Sequence, residues 1–385
     1  MTIIYLYRSL AVYGGIERIF IDKINYLAEN LGYKIYIVTW EQGTHPIIHP
    51  LSPKATHIDL GILFYKEYTY TFIKRMWAHR QMEKLFFKKI QDLVSDTQAD
   101  IVIGASCEFP TMVGMNLLGN SVRTILESHS MRKSIEKDIE GVKNPFTRLA
   151  FRWKNKQLHR LVQQMSAFVT LTRNDARDWS EITDAIVIPN LLHYYPPELT
   201  INTSTHKRVI SAGRLTEQKG YDLLLATWSI VHQQHPDWTL EIYGDGEDRE
   251  MLSKQIEEKS LQTAVYLYHA TPDIYDKYMQ SDFYVMSSRW EGFGLVLAEA
   301  MSCGIPCVSF DCPHGPSDII KNGEDGLLVE NGNVEQLAKN IGYLIEHEDI
   351  RMEMGRKARE NVKRYLPENV MPQWQKLFES LILKN

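Results

Sequence analysis

Along this chain, short apolar runs alternate with longer stretches whose apolar residues recur every three or four positions. The runs Ile3–Tyr7, Lys34–Thr39, Ile101–Gly104, Thr124–Glu127, Ala167–Leu171 and Ile186–Ile188 read as strands. Between them, Ile16–Leu31, Phe72–Leu93, Pro110–Leu118, Phe146–Gln164 and Asn174–Trp179 read as helices. That order predicts a doubly wound parallel sheet. Pro189-Asn190 ends it, and the stretch to Lys207, with Tyr-Tyr-Pro-Pro and Asn-Thr-Ser-Thr, reads as a linker. A second alternation follows. Its strands are expected at Val209–Ala212, Thr239–Tyr243, Val265–Tyr268, Phe283–Met286 and Cys307–Phe310. Its helices are expected at Gly220–Gln234, Glu247–Lys259, Leu295–Met301, Val334–His347 and Ile350–Tyr365. A last apolar-periodic segment, Val370–Leu383, carries Trp374, Leu377, Leu381 and Leu383. The expected domains are residues 1–190 and 205–366, both α/β, with a closing helix over 367–385.

Open α/β sheets bind ligands beyond the C-terminal ends of their strands. Residues 289–303, Arg-Trp-Glu-Gly-Phe-Gly-Leu-Val-Leu-Ala-Glu-Ala-Met-Ser-Cys, follow such a strand. Glu291 and Glu299 stand there with seven residues between them. The turn at Phe293 and Gly294 opens a helix through Leu295 and Val296, and a helix start offers free N–H groups and a positive dipole end to phosphate. A carboxylate a turn further in, Glu299, suits hydrogen bonds to a sugar diol. Glu291, on the loop, could meet the reacting end of the same ligand. Upstream, Ser211-Ala-Gly-Arg-Leu-Thr-Glu-Gln-Lys-Gly220 places Arg214 and Lys219 in a turn after a strand. Arginine binds phosphate bidentately and lysine as a point charge.

These segments, in this order, resemble the retaining glycosyltransferase family 4, with its GT-B fold and Glu-x7-Glu motif. Further matching segments are Leu240-Glu-Ile-Tyr-Gly-Asp-Gly246, Gly304-Ile-Pro-Cys-Val-Ser, Gly315-Pro-Ser-Asp-Ile-Ile320 and Tyr13-Gly-Gly-Ile-Glu-Arg18. The resemblance implies two Rossmann-like domains facing a central cleft, with the C-terminal helix crossing back to the first. It implies transfer of a hexose-type sugar from a nucleotide diphosphate, UDP above all, to a glycan or lipid-linked acceptor in cell-surface polysaccharide synthesis. Arg214 and Lys219 would stabilise charge on the departing phosphate. Glu291 would orient the sugar, His129 would lie near it, and Gly14 and Gly15 would offer N–H groups to the phosphates. Gly244 and His269 would flank the base. Retention implies same-face attack, in which the acceptor hydroxyl passes its proton to the leaving phosphate oxygen.

Two other classes compete. A catalytically inactive GT-B carbohydrate-binding subunit could keep the fold, but would be expected to have lost Arg214, Lys219 or a glutamate. A dinucleotide-dependent oxidoreductase should show Gly-x-Gly-x-x-Gly after the first strand, which Tyr13-Gly-Gly-Ile-Glu-Arg18 does not supply. Cys303, Cys307, Cys312 and His314 have a superficially metal-like spacing. A strand over Pro306–Phe310 would turn the cysteines to different surroundings, and no Asp-x-Asp follows a strand, so no metal and no cofactor is expected.

With 385 residues, 44% hydrophobic and 24% charged, the composition fits a globular protein of two domains. No apolar run reaches bilayer length, and the N-terminal segment lacks the basic start and cleavage site of a signal peptide. Four cysteines do not suggest a disulfide framework, so the cytoplasm is the expected compartment. Net charge is −5, unevenly placed: residues 1–190 carry 24 Lys and Arg against 19 Asp and Glu, the remainder 19 against 29. Cations and aromatics interleave over Lys74–Arg80 with Lys84–Lys89, and from Arg132 through Trp153 to Arg160. That mixture suits an anionic membrane surface, with peripheral attachment at the inner face, or else two solvated helix faces. Nucleic acid is not an expected partner of an acidic chain without a binding module.

Overall fold

A computed structural model describes residues 1–12, 14–139, 141–197 and 206–383. Tyr13 of the glycine turn, residues 198–205 of the expected linker and the last two residues of the expected closing helix lie outside them. The chain divides into two compact units, Met1–His193 with Val370–Asn385, and Tyr194–Asn369.

In the first unit the elements run β1 (Thr2–Leu6), α1 (Gly15–Glu29), β2 (Lys34–Thr39), β3 (Ala55–Asp59), α2 (Phe72–Thr97), β4 (Ile101–Gly104) and α3 (Phe109–Asn116). They continue with β5 (Arg123–Ser128), α4 (Arg132–Ile135), α5 (Pro145–Gln163), β6 (Ala167–Thr170), α6 (Arg173–Trp179) and β7 (Ile186–Val187). In the second unit they run β8 (Arg208–Ala212), α7 (Tyr221–Gln234), β9 (Thr239–Tyr243), α8 (Arg249–Glu258), β10 (Val265–Tyr268), α9 (Ile274–Met279) and β11 (Phe283–Met286). Then come α10 (Leu295–Ser302), β12 (Cys307–Asp311), α11 (Pro316–Ile319), β13 (Gly326–Glu330), α12 (Val334–Glu346), α13 (Glu348–Val362) and α14 (Pro367–Ile382).

Both sheets are wholly parallel. The first has seven strands in the order β3-β2-β1-β4-β5-β6-β7, the second six in the order β10-β9-β8-β11-β12-β13. In each, the order reverses at one place, between β1 and β4 and between β8 and β11. Strands covered on both faces must be apolar throughout, which is why β1, β4 and β11 read as continuous runs. Ile4 pairs with Tyr36 on one side and Val102 on the other, so β1 is an interior strand of its sheet. Helices cover the faces through the helical period: α1 buries Ile19, Phe20, Ile24 and Leu27, and α12 buries Leu337, Ala338, Ile341 and Leu344. Side chains cap helix starts: Asn144 accepts from the Phe146 and Thr147 N–H groups, Thr172 from Asp175, and Asn333 from Gln336.

The core of the first unit gathers Ile4, Leu6, Trp40, Phe86, Ile90 and Val102. That of the second gathers Leu224, Trp228, Leu240, Phe283, Val308 and Ile341. Each such side chain contributes about 1.5–3 kcal/mol by leaving water. On α14, Phe378 approaches Tyr33, and Trp374 lies under the Lys23 ammonium at 4.3 Å. The last helix thus completes the first unit.

Two strands, β3 and β13, and the short helices α4, α9 and α11 lie outside the elements expected from sequence. β3 is the outer strand of its sheet and only half-buried, so Ala-Thr-His-Ile-Asp shows no apolar run. β13 is the outer strand at the other sheet's end.

Candidate active site

The loops that follow β8 and β11 flank the point where the second sheet reverses its order. Connections leave such a point in opposite directions, which parts the loops and opens a crevice. Here the two loops are tied together. Lys219, in a short 3-10 turn after β8, places its Nζ 2.6 Å from Glu291 Oε1. Ser288 Oγ donates to the same oxygen at 2.6 Å. Glu291 is 5% exposed, so these two donors replace the water its carboxylate would otherwise hold. Arg289 grips Asp222 bidentately, at 2.8 and 2.7 Å, and donates to the Glu217 carbonyl at 2.9 Å. The Asp222 carboxyl is held below its ordinary range by hydrogen bonding to Arg289. Gln218 Nε2 reaches the Trp290 carbonyl, and Ser287 Oγ the Lys219 carbonyl, both at 3.0 Å.

Two glycines permit this closeness. Gly220 has φ 62°, and a Cβ there would lie 2.2 Å from the Ser287 carbonyl oxygen. Gly315 has φ 106°, and a Cβ there would lie 2.1 Å from the Phe293 carbonyl oxygen. The loop after β12 is thereby brought onto the Glu291 loop, where the Glu291 N–H donates to the Pro313 carbonyl at 3.2 Å. Phe293 is buried with its ring edge-on to Tyr365 at 5.3 Å.

Gly294, with left-handed backbone, stands at the N-terminus of α10, and no side chain caps the helix there. Leu295 and Val296 form its first turn. Glu299 lies one turn further, half-buried, with the Tyr278 hydroxyl 3.5 Å from its Oε2. Arg214 is exposed and forms no salt bridge among the described residues. Gly244 follows β9 and donates its N–H to the Tyr268 carbonyl at 3.1 Å. His269 Nδ1 meets Asp245 Oδ1 at 2.5 Å on the surface, and Asp245 also accepts from the Ala270 N–H. Asp245 therefore serves this loop rather than capping α8. The Tyr243 and Tyr268 rings stack beside it, 4.9 Å apart.

In the first unit, Gly14 stands at the N-terminus of α1 and Gly15 begins it. Glu17, on the first turn of α1, accepts from the Tyr7 hydroxyl at 2.8 Å. His129 follows β5, its Nε2 3.3 Å from Glu127 Oε2. Glu127 in turn forms a buried pair with Lys23, 2.5 Å apart. Burial pushes the Glu127 carboxyl up, but the Lys23 charge and His129 outweigh it and hold it below its usual range. The structure thus brings Lys219, Glu291 and Glu299 into the second unit's loop system, and Gly14, Gly15 and His129 into the first unit's strand-end turns.

The cysteines go separate ways. Cys307 Sγ faces the Leu297 carbonyl and Cys303 Sγ the Tyr275 carbonyl. Burial pushes the Cys303 thiol up to about 12, so it stays protonated. Ser288, Arg289 and Asp222 were not apparent from sequence. Ser288 and Arg289 adjoin the glutamate motif, but Asp222 signals itself only as the first acidic residue of α7.

Residues 200–361 match the family described as glycosyl transferases group 1. That match spans most of the second unit. An uncharacterised glycosyltransferase of Haemophilus influenzae is 27% identical over 379 residues, 94% of this chain and 95% of that protein. A poly(ribitol-phosphate) alpha-N-acetylglucosaminyltransferase of Staphylococcus aureus is 31% identical over 240 residues, 60% of this chain and 47% of that protein. Among solved structures, an S. aureus TarM mutant in complex with fondaparinux, alpha-GlcNAc-glycerol and UDP superposes with a TM-score of 0.79. It is 18% identical, over 98% of this chain and 99% of that one. The architecture is GT-B, built of two parallel-sheet Rossmann-like domains. No helix among the described residues is long and apolar enough to cross a membrane.

Proposed function

We propose that this chain is a retaining glycosyltransferase of family 4. It moves a hexose-type sugar from UDP to a glycan or lipid-linked acceptor in cell-surface polysaccharide synthesis. The observation that carries this reading is the Lys219–Glu291 pair at 2.6 Å beside the side-chain-uncapped start of α10. An ammonium has three donors, so Lys219 can keep Glu291 and still address a phosphate. Arg214, exposed and in no salt bridge among the described residues, is available to the same diphosphate. When the anomeric C–O bond breaks, its electrons pass to the β-phosphate oxygen, where Arg214, Lys219 and the α10 N–H groups stabilise them. The acceptor hydroxyl attacks on the same face and gives its proton to that oxygen, releasing UDP. Glu291 orients the sugar hydroxyls, and Glu299 accepts from the ribose diol. No step calls for a metal.

A thermal-shift screen of nucleotide sugars, then donor hydrolysis on the hits, tests the donor. Wild-type turnover in both Lys219→Ala and Glu299→Ala would sink the site. Inverted anomeric configuration in the product, read by NMR coupling constants, would sink retention.

We further infer that the acceptor is met at an anionic membrane, at the inner face. Helices α2 and α5 each run back from the C-terminal edge of the first sheet, so their N-terminal turns lie at one edge, and α3 packs against both. Those turns expose Ile73 (82%) and Trp77 (64%) on α2, and Phe146 (82%) and Trp153 (63%) on α5. Lys74, Arg75, Arg148 and Arg152 stand among them. Apolar side chains left in water beside cations suit the headgroup layer of a bilayer. Sedimentation with phosphatidylglycerol vesicles should weaken as salt rises and fail in Trp77→Glu/Phe146→Glu. Absence of binding at every salt concentration would remove this reading.

A further inference from the structure

The first unit has a reversal point of its own, between β1 and β4, and a cavity of about 300 Å³ opens there. Its wall is drawn from the residues just past three strands: Tyr7 after β1, Ser106 to Glu108 after β4, and Ser128 to Ser130 around the end of β5. The volume is at the lower end for ligand pockets and suits one small ring rather than a nucleotide.

The chemistry of the wall is specific. Glu108 stands just before α3 but its side chain caps nothing, and its carboxylate makes no hydrogen bond or salt bridge among the described residues. Arg8, the cation that acts on it, is already held by Glu41 at 2.5 Å. Ser106 Oγ is buried with no hydrogen-bond partner among the described residues. Burial pushes the Cys107 thiol up to about 12, so it adds no charge. No lysine or arginine lines the cavity. His129 lines it but is turned to Glu127, so a diphosphate would face the Glu108 carboxylate with no ammonium or guanidinium to balance it, and the cavity does not suit the phosphates of a donor. A carboxylate can only accept, and it is matched by a ligand rich in O–H donors.

We propose that this cavity binds an uncharged sugar ring, the end of the acceptor, with Glu108 accepting from its hydroxyls. This rests on the glycosyl-transfer reading and makes the chain unlike a transferase named for a poly(ribitol-phosphate) acceptor: a phosphate-bearing acceptor end is rejected by Glu108. The residue determines specificity for the acceptor and plays no part in donor cleavage.

Two measurements on the full chain test it. In the first, saturation-transfer NMR probes binding of uncharged methyl glycosides, glycerol phosphate and an amino sugar. Signals are expected for the methyl glycosides, and Glu108→Gln and Glu108→Ala should weaken them about tenfold in affinity while unfolding midpoints stay unchanged. Preference for glycerol phosphate or the amino sugar, or wild-type affinity in both variants, would overturn the proposal. In the second, transfer to oligosaccharides is compared with transfer to a polyol-phosphate polymer. Glu108→Gln should raise the acceptor KM about tenfold and leave kcat and donor hydrolysis alone. A better rate on the polymer would also overturn it. If no nucleotide sugar is hydrolysed yet Glu108-dependent saccharide binding persists, the transferase reading fails and the cavity assignment stands.

Discussion

The two sheets reverse their order in the same way, yet their loops are held differently. Past β8 and β11, the ties lie at the rim itself: Lys219 to Glu291, Arg289 to Asp222, Gln218 to Trp290. Past β1, β4 and β5, the tie lies beneath the cavity: Lys23 and Glu127 pair in the core, and Glu127 touches His129 in the wall. In the wall above, Tyr7 holds Glu17 and Ser128 holds the Ser130 carbonyl, while Glu108 and Ser106 have no side-chain partner among the described residues. A rim tied by charges and glycines is preorganised for one invariant charged group. Polar atoms left unmatched in such a wall favour a ligand that pairs with them.

This contrast can be broken from either side. The largest effect is expected beneath the first cavity. Lys23→Met strands the Glu127 carboxylate in the core and should cost about 3–5 kcal/mol in urea unfolding. A loss under about 1 kcal/mol would mean that the pair is not the support described here.

Next is the rim of the second unit. If Lys219 stabilises the leaving phosphate, Lys219→Ala should lower kcat about 10²–10³-fold, and by leaving the buried Glu291 carboxylate to Ser288 alone it should also lower the thermal midpoint. A smaller loss than that of Arg214→Ala would shift the role to the arginine.

Arg289→Ala should cost about 1 kcal/mol of stability, since the Asp222 pair is partly solvated. It should also slow turnover by loosening the Lys219 turn. Unchanged turnover would show that Ser287, Gln218 and Gly220 hold the turn without it.

The smallest effect concerns pH. Burial, partly offset by Arg8, raises the Glu108 carboxyl above its ordinary 4.5. A carboxylate is needed to accept from hydroxyls, so acceptor KM should climb as pH falls, starting at a higher pH than for an exposed glutamate. Glu108→Gln should flatten that climb. A climb of the same size in the variant would assign it to another group.

Local pattern determined much of this protein. Continuous apolar runs announced the buried strands, helical periods announced the helices between them, and their strict alternation announced parallel sheets. The crowding of glycines and glutamates over 289–303 marked the strand-to-helix turn that the structure places after β11. Interleaved cations and rings marked α2 and α5, although only the fold leaves Ile73 and Phe146 in water. Tertiary structure alone decided the outer strands β3 and β13, because a half-buried strand carries a weak period. It alone joined Lys219 to Glu291 across 72 positions and Lys23 to Glu127 across 104. Such contacts depend on which strand ends lie side by side, and strand order is not written in any local run of residues. For the same reason Glu108, an ordinary residue after an ordinary strand, becomes a wall of a cavity only once β1, β4 and β5 are neighbours.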